Sequence, residues 1–217
     1  MGCCHLHALL LSSAPRMLRR AGPVVLCLKA SDSPAKHDSL IPGRMTEPRP
    51  MTTAAWYAGL MTGTVLDGQI DLALLRTDGH EIIEFGPAGT LPYPGALRGR
   101  LAACVEAAAA WNFDGPEPDM FESVARDVTL AQSDALADFV GAHGFDMADI
   151  AAIGFHGQTI LHRAPVSGSP GRTRQLGDGA LMAAHTGRPV VFDFRSADMA
   201  DGGQARRSAR SITPPCS

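Results

Sequence analysis

Two apolar runs, Tyr57–Met61 and Ile70–Leu75, flank a stretch that carries Thr62, Gly63, Thr64, Asp67 and Gly68. Short apolar runs broken by glycines and small polar residues are the pattern of two paired strands joined by a turn. Glycine opens left-handed backbone angles and lets an anion approach the amides, because no Cβ stands in the way. The threonine hydroxyls can donate to phosphate oxygens, and Asp67 has the chemistry to reach a metal ion or a metal-bound water. An ordinary hairpin uses the same residue types, so spacing alone leaves both readings open.

Downstream, the turn Thr77-Asp78-Gly79 leads to a third strand over Glu81–Phe85, which makes a meander. Leu91-Pro92-Tyr93-Pro94 reads as a stiff connector, since each proline biases its predecessor away from helix. Helices are expected over Gly95–Trp111 and Met120–Gly141. In the second, Phe121, Val124, Val128, Ala131, Ala135 and Phe139 recur near a 3.6-residue period and mark a core-facing stripe. Ile150–Phe155 is a buried strand that ends on His156, Gly157, Gln158 and Thr159. Open α/β sheets hold ligands at the carboxyl ends of their strands, although a buried, hydrogen-bonded histidine would look the same. Another strand is expected over Thr173–Gly177, and Asp178 caps a short helix, Gly179–Thr186, that Gly187 and Pro189 close. Val190–Phe192 then delivers Asp193, Phe194 and Arg195, where the carboxylate is either half of an ion pair or a positioned general base. Strands alternating with helices in this order define an α/β chain. The absence of GxxxxGK[ST] and GxGxxG argues against P-loop and Rossmann nucleotide sites.

Composition narrows the partners. A net charge of −3 over 217 residues gives no reason to expect nucleic acid or an acidic membrane surface. No apolar run approaches the roughly 20 residues that span a bilayer. The five cysteines are scattered, with no CxxC pair and no zinc-like His/Cys spacing, so no resident metal is expected and a reducing cytoplasm is the natural compartment. Residues 1–50, with their Cys3-Cys4 pair, arginine cluster and Pro/Ser/Lys-rich run, read as a disordered or mis-assigned extension before a start at Met45 or Met51.

With these blocks in order, the chain resembles the anhydro-N-acetylmuramic acid kinases from about Tyr57 to Gln204. Gly59–Gly68 is similar to the family's first phosphate loop and Ile153–Thr159 to its sugar-side motif. Gln175-Leu176-Gly177-Asp178, Val190–Ala200 and Gly202-Gly203-Gln204 complete the set. The resemblance implies an actin-like (ribonuclease H-like) ATPase lobe, a mixed sheet with flanking helices, over residues 51–204. By that resemblance Gly63, Thr64, Val65, Leu66, Asp67, Gly68, Gln69, Ile70 and Asp71 would bind ATP with Mg²⁺. His156, Gly157, Gln158, Thr159 and Arg195 would hold the sugar, and Asp193 would be the catalytic base. The implied reaction converts 1,6-anhydro-N-acetylmuramic acid and water to N-acetylmuramic acid 6-phosphate in cell-wall recycling, and a homodimer is the implied assembly. The alternative is a non-catalytic, actin-like module that binds sugar or nucleotide.

Three departures accompany the likeness. Val65 stands where the family loop has serine, which removes one hydroxyl donor, and Gln69 is an extra residue before Ile70-Asp71. After Gln204 the family continues with Gly-Ala-Pro-Leu and a second lobe, whereas here Ala205–Ser217 loses the apolar pattern and gains arginines. A GC-rich Gly-Ala-Pro-Leu coding sequence that loses one nucleotide can read as this tail. The expectation is therefore a frameshifted tail, a missing second lobe and little kinase activity for the chain alone.

Overall fold

The computed structural model describes residues 25–27, 53–62, 68–166 and 171–200. Val25–Cys27 (β1) stands apart in sequence from Ala55–Met61 (β2), Gln69–Thr77 (β3) and Ile82–Pro92 (β4). Gly95–Trp111 (α1) and Met120–Ala142 (α2) follow, then a 3-10 turn at Met147–Asp149 and Ile150–Phe155 (β5). Gln158–Arg163 (β6), Arg172–Leu176 (β7), Gly179–Thr186 (α3), Val190–Phe192 (β8) and Phe194–Ala200 (α4) complete the order.

A six-stranded sheet runs β1-β8-β5-β2-β3-β4, and β6 pairs with β7 in a separate ribbon. β1, β8, β5 and β2 are parallel, while β3 is antiparallel to both β2 and β4. Only β3 therefore runs against the rest, which makes the mixed sheet expected from sequence. Period-two burial is plain in β3, where Ile70, Leu72 and Leu74 are buried between half-exposed neighbours. Their partners on the same face include Leu60 and Ala58 of β2.

That face meets the helices. Leu97, Leu101, Cys104 and Ala108 line the buried side of α1, and Phe121, Val124, Val128, Leu136 and Phe139 that of α2. The expected α2 stripe is thus the core contact, with Ala131 and Ala135 partly buried against it. α2 begins and α1 ends where expected. α3 does too: the Asp178 carboxylate accepts from the amides of Ala180 and Leu181 at 2.9 and 3.0 Å, and Gly187 closes the helix at φ 67°. Asp178→Ala should cost about 1 kcal/mol, read as a shifted urea midpoint with unchanged slope.

Four elements differ from expectation. β1 falls within residues 1–50, read from sequence as an extension, and pairs in parallel with β8. β4 runs to Pro92 rather than stopping at Phe85, because it lies at the sheet edge, where a proline without an N–H is tolerated. Its register shifts opposite Ala73–Leu75 absorb the irregularity. β6 takes up Gln158 and Thr159, which looked like loop residues; four of its six positions are buried, so no alternation signals it. β8 ends at Phe192 as expected, but α4, a helix not expected from sequence, opens at Phe194 where Asp193 turns the chain at φ 60°.

Candidate active site

Register decides where the functional loops meet. Leu60 pairs with Phe155, and Phe155 with Phe192, so the ends of β2, β5 and β8 form one row across the sheet. The three strands are parallel, and the chain therefore leaves all of them at the same edge. β3 starts at that edge as well, since Met61 pairs with Asp71. With neighbouring strands about 4.8 Å apart, the β2 and β8 exits lie about 10 Å from each other. Parallel sheets place ligands at such an edge.

A cleft of about 270 Å³ opens there, with His156, Gly157, Gln175, Asp193 and Ser196 among its walls. Its size sits just below the roughly 300–1,000 Å³ common for small-molecule sites. Asp193 is half-buried and holds a left-handed backbone angle, a conformation uncommon outside glycine, asparagine and aspartate. The residue lines the cleft where the chain leaves β8.

The opposite wall hangs on one carbonyl. Gly157 O accepts from Thr62 Oγ1 at 2.8 Å and from His156 Nδ1 at 3.0 Å. A carbonyl can only accept, so the proton of the His156 ring is on Nδ1. Gly157 itself has φ 67°, and a Cβ there would lie 2.4 Å from Leu176 O, which leaves glycine as the residue that fits. His156 is 9% exposed. Burial first, and the Arg195 guanidinium second, push its pKa from 6.5 down to about 4, against the opposing pull of the bond to Gly157. The ring is neutral at pH 7. Because the unfolded chain binds the proton more readily, stability rises with pH across this interval. The contribution is complete above pH 6.5 and lost as pH falls toward 4. Unfolding free energies of the native chain should therefore fall relative to His156→Gln between those two values, and run parallel above them.

The other expected residues separate. Gln158 is buried and lines a void of about 10 Å³ with Gly68, Tyr93 and Arg98, on the side of the β2–β3 loop. Thr159 is buried in β6, its Oγ1 without a partner among the described residues. Neither joins His156 in the cleft. Ile70 is fully buried in the core, and Asp71 accepts from Thr90 Oγ1 at 3.0 Å on the sheet face. Gly63, Thr64, Val65, Leu66 and Asp67 lie outside the described residues. Gly68 holds φ 74° with the Arg98 side chain packed against it, so a cation stands at the mouth of that loop. Arg98 carried no signal in sequence, being one exposed arginine of α1. Gln175 and Ser196 were also missed as site residues, although Gln175 sits beside Gly177 near the end of an expected strand. Among the described residues no three His, Cys, Asp or Glu side chains gather as a metal site, and no helix is long and apolar enough to cross a membrane.

A mixed sheet with one reversed strand, helices packed on it, and a histidine, a glycine and a carboxylate at one edge are the features of the actin-like lobe expected from sequence. The chain belongs to the anhydro-N-acetylmuramic acid kinase family, whose model matches residues 55–207. Relatives with that name agree. The one from Rhizobium rhizogenes is 54% identical over 149 residues, 69% of this chain and 40% of its own length. Anhydro-N-acetylmuramic acid kinase 2 of Jannaschia sp. is 56% identical over 149 residues, covering 69% of this chain and 39% of the relative. The Phenylobacterium zucineum relative is 44% identical over 167 residues, 72% of this chain and 45% of its own. The chain thus spans about two fifths of the length of the curated relatives it matches.

Proposed function

We propose that this lobe supplies the sugar-side half of an ATP-dependent kinase that converts 1,6-anhydro-N-acetylmuramic acid and water to N-acetylmuramic acid 6-phosphate, a step of cell-wall recycling. The observation that carries the reading is the shared edge, where Asp193 and neutral His156 wall one cleft of about 270 Å³ at the strand ends from which β2 also exits. Asp193 takes a proton from a water whose oxygen bonds to C1 of the sugar as the C1–O6 bond breaks. O6 forms the new bond to the γ-phosphorus of ATP, and ADP leaves. Mg²⁺ arrives with the nucleotide. The loop that ends at Gly68 would hold the nucleotide phosphates, with Arg98 beside Gly68 adding positive charge where negative charge develops on the transferring oxygens. Gln69, Ile70 and Asp71 are paired in β3 and would take no part. His156 and Gly157 border the sugar, and Arg195 holds the local field positive next to the imidazole.

Most of each relative lies outside the matched region, and actin-like kinases assemble their sites between two lobes. Turnover by these 217 residues alone is accordingly low, while sugar binding persists. Titration calorimetry with 1,6-anhydro-N-acetylmuramic acid should give a saturable isotherm, and addition of Mg-ATP should yield little sugar phosphate. No sugar binding would sink the assignment of the cleft, and brisk phosphorylation by the chain alone would sink the division of labour.

A further inference from the structure

We propose that Gln175 is a specificity-determining residue of the cleft, whose side-chain oxygen is offered as a fixed acceptor to an O–H or N–H donor of the sugar. The inference rests on the sugar-side reading above and adds to it which group reads the ligand, and in which sense.

The sense follows from hydrogen-bond bookkeeping along one chain of contacts. Gln175 Nε2 lies 2.8 Å from the backbone oxygen of His156. That oxygen has no proton to give, so the amide must present its NH₂ and not its carbonyl. The same nitrogen stands 3.3 Å from His156 Nε2. The proton of the neutral ring is already committed to Nδ1, which donates to Gly157 O at 3.0 Å, so Nε2 is an acceptor facing a donor. Both protons of the Gln175 amide are thereby directed at His156. Turning the amide over would set oxygen against oxygen at one contact and oxygen against a ring lone pair at the other. Thr62 Oγ1 completes the relay by donating to Gly157 O at 2.8 Å, which ties its far end to β2.

What remains is the Gln175 oxygen, which has no partner among the described residues on a side chain that lines the cleft. Glutamine usually recognises ambiguously, because the amide can present either end. Here one end is consumed, and the cleft meets an acceptor only. Such a site admits a hydroxyl or an amide N–H and rejects an ether or carbonyl oxygen at the same position, since two acceptors would face each other. A 1,6-anhydro-N-acetyl sugar carries both kinds of donor.

The test uses the 217-residue chain in two arms. Nitrogen-15 NMR of the native chain should show His156 as the neutral tautomer protonated at Nδ1, and this arm requires no variant to fold. Calorimetry with 1,6-anhydro-N-acetylmuramic acid should show about a tenfold loss of affinity in Gln175→Met, the cost of one hydrogen bond of ordinary strength. Gln175→Glu should move a proton onto His156 Nε2, seen as a changed ring signature, because a carboxylate can only accept. An Nε2-protonated tautomer in the native chain overturns the proposal. So does a Gln175→Met protein that binds the sugar as tightly as the native chain does, and in that case the assignment of the cleft survives. Failure of the native chain to bind overturns both together.

Discussion

Asp193→Asn lowers phosphoryl transfer by about 100- to 10,000-fold, the usual worth of a positioned general base, and leaves sugar affinity within about threefold, below the tenfold cost of a typical lost hydrogen bond. The measurement belongs in a chain that joins this lobe to the portion its relatives carry beyond it, so that turnover is present to be lost. Asparagine is the informative replacement. It is nearly the same size, cannot take a proton from water, and tolerates the left-handed angle that Asp193 adopts at φ 60°. A loss of rate therefore reports proton transfer and not a reshaped β8–α4 junction. Equal rates for the two proteins would remove Asp193 from the chemistry, and a parallel collapse of binding would make it a sugar ligand instead.

Gly157→Ala has the largest expected effect on stability. A left-handed residue with a Cβ costs roughly 1–2 kcal/mol, and forcing an atom into a filled space typically adds about 1–3 kcal/mol. Here the added Cβ would lie 2.4 Å from the backbone oxygen of Leu176, so relief requires β7 to move and not a side chain to swing. A loss of up to about 5 kcal/mol is a large part of the 5–15 kcal/mol typical of a domain. The shift would also drag the carbonyl that binds Thr62 and His156. Urea unfolding should show the lower midpoint, and an unchanged midpoint would mean that the β5–β6 turn has slack the geometry denies.

The parts of this molecule that could be read from sequence are those with a local cause. The α2 stripe follows from helical period, the α3 boundaries from an aspartate cap and a left-handed glycine, and the β2–β3 pairing from two apolar runs across a turn. β6 was hidden because burial on both faces erases the period of two, and β4 because prolines at an edge look like prolines in a connector. The site followed the same rule. Asp193 and His156 announce themselves at strand ends, but the division of Gln158 and Thr159 from His156 depends on a reversal at Gly157 that one positive angle produces. Gln175 and Arg98 join through pairing with distant strands and helices, and no local pattern encodes such a meeting.

Because β3 begins at the cleft edge and ends at Thr77, the Asp78-Gly79 turn sits on the far rim of the sheet, closed by the Asp78 carboxylate on the amides of His80 and Glu81. An anchoring peptide or fluorophore grafted into that turn would leave the cleft facing outward. The tether would then stand a full strand length from the cleft.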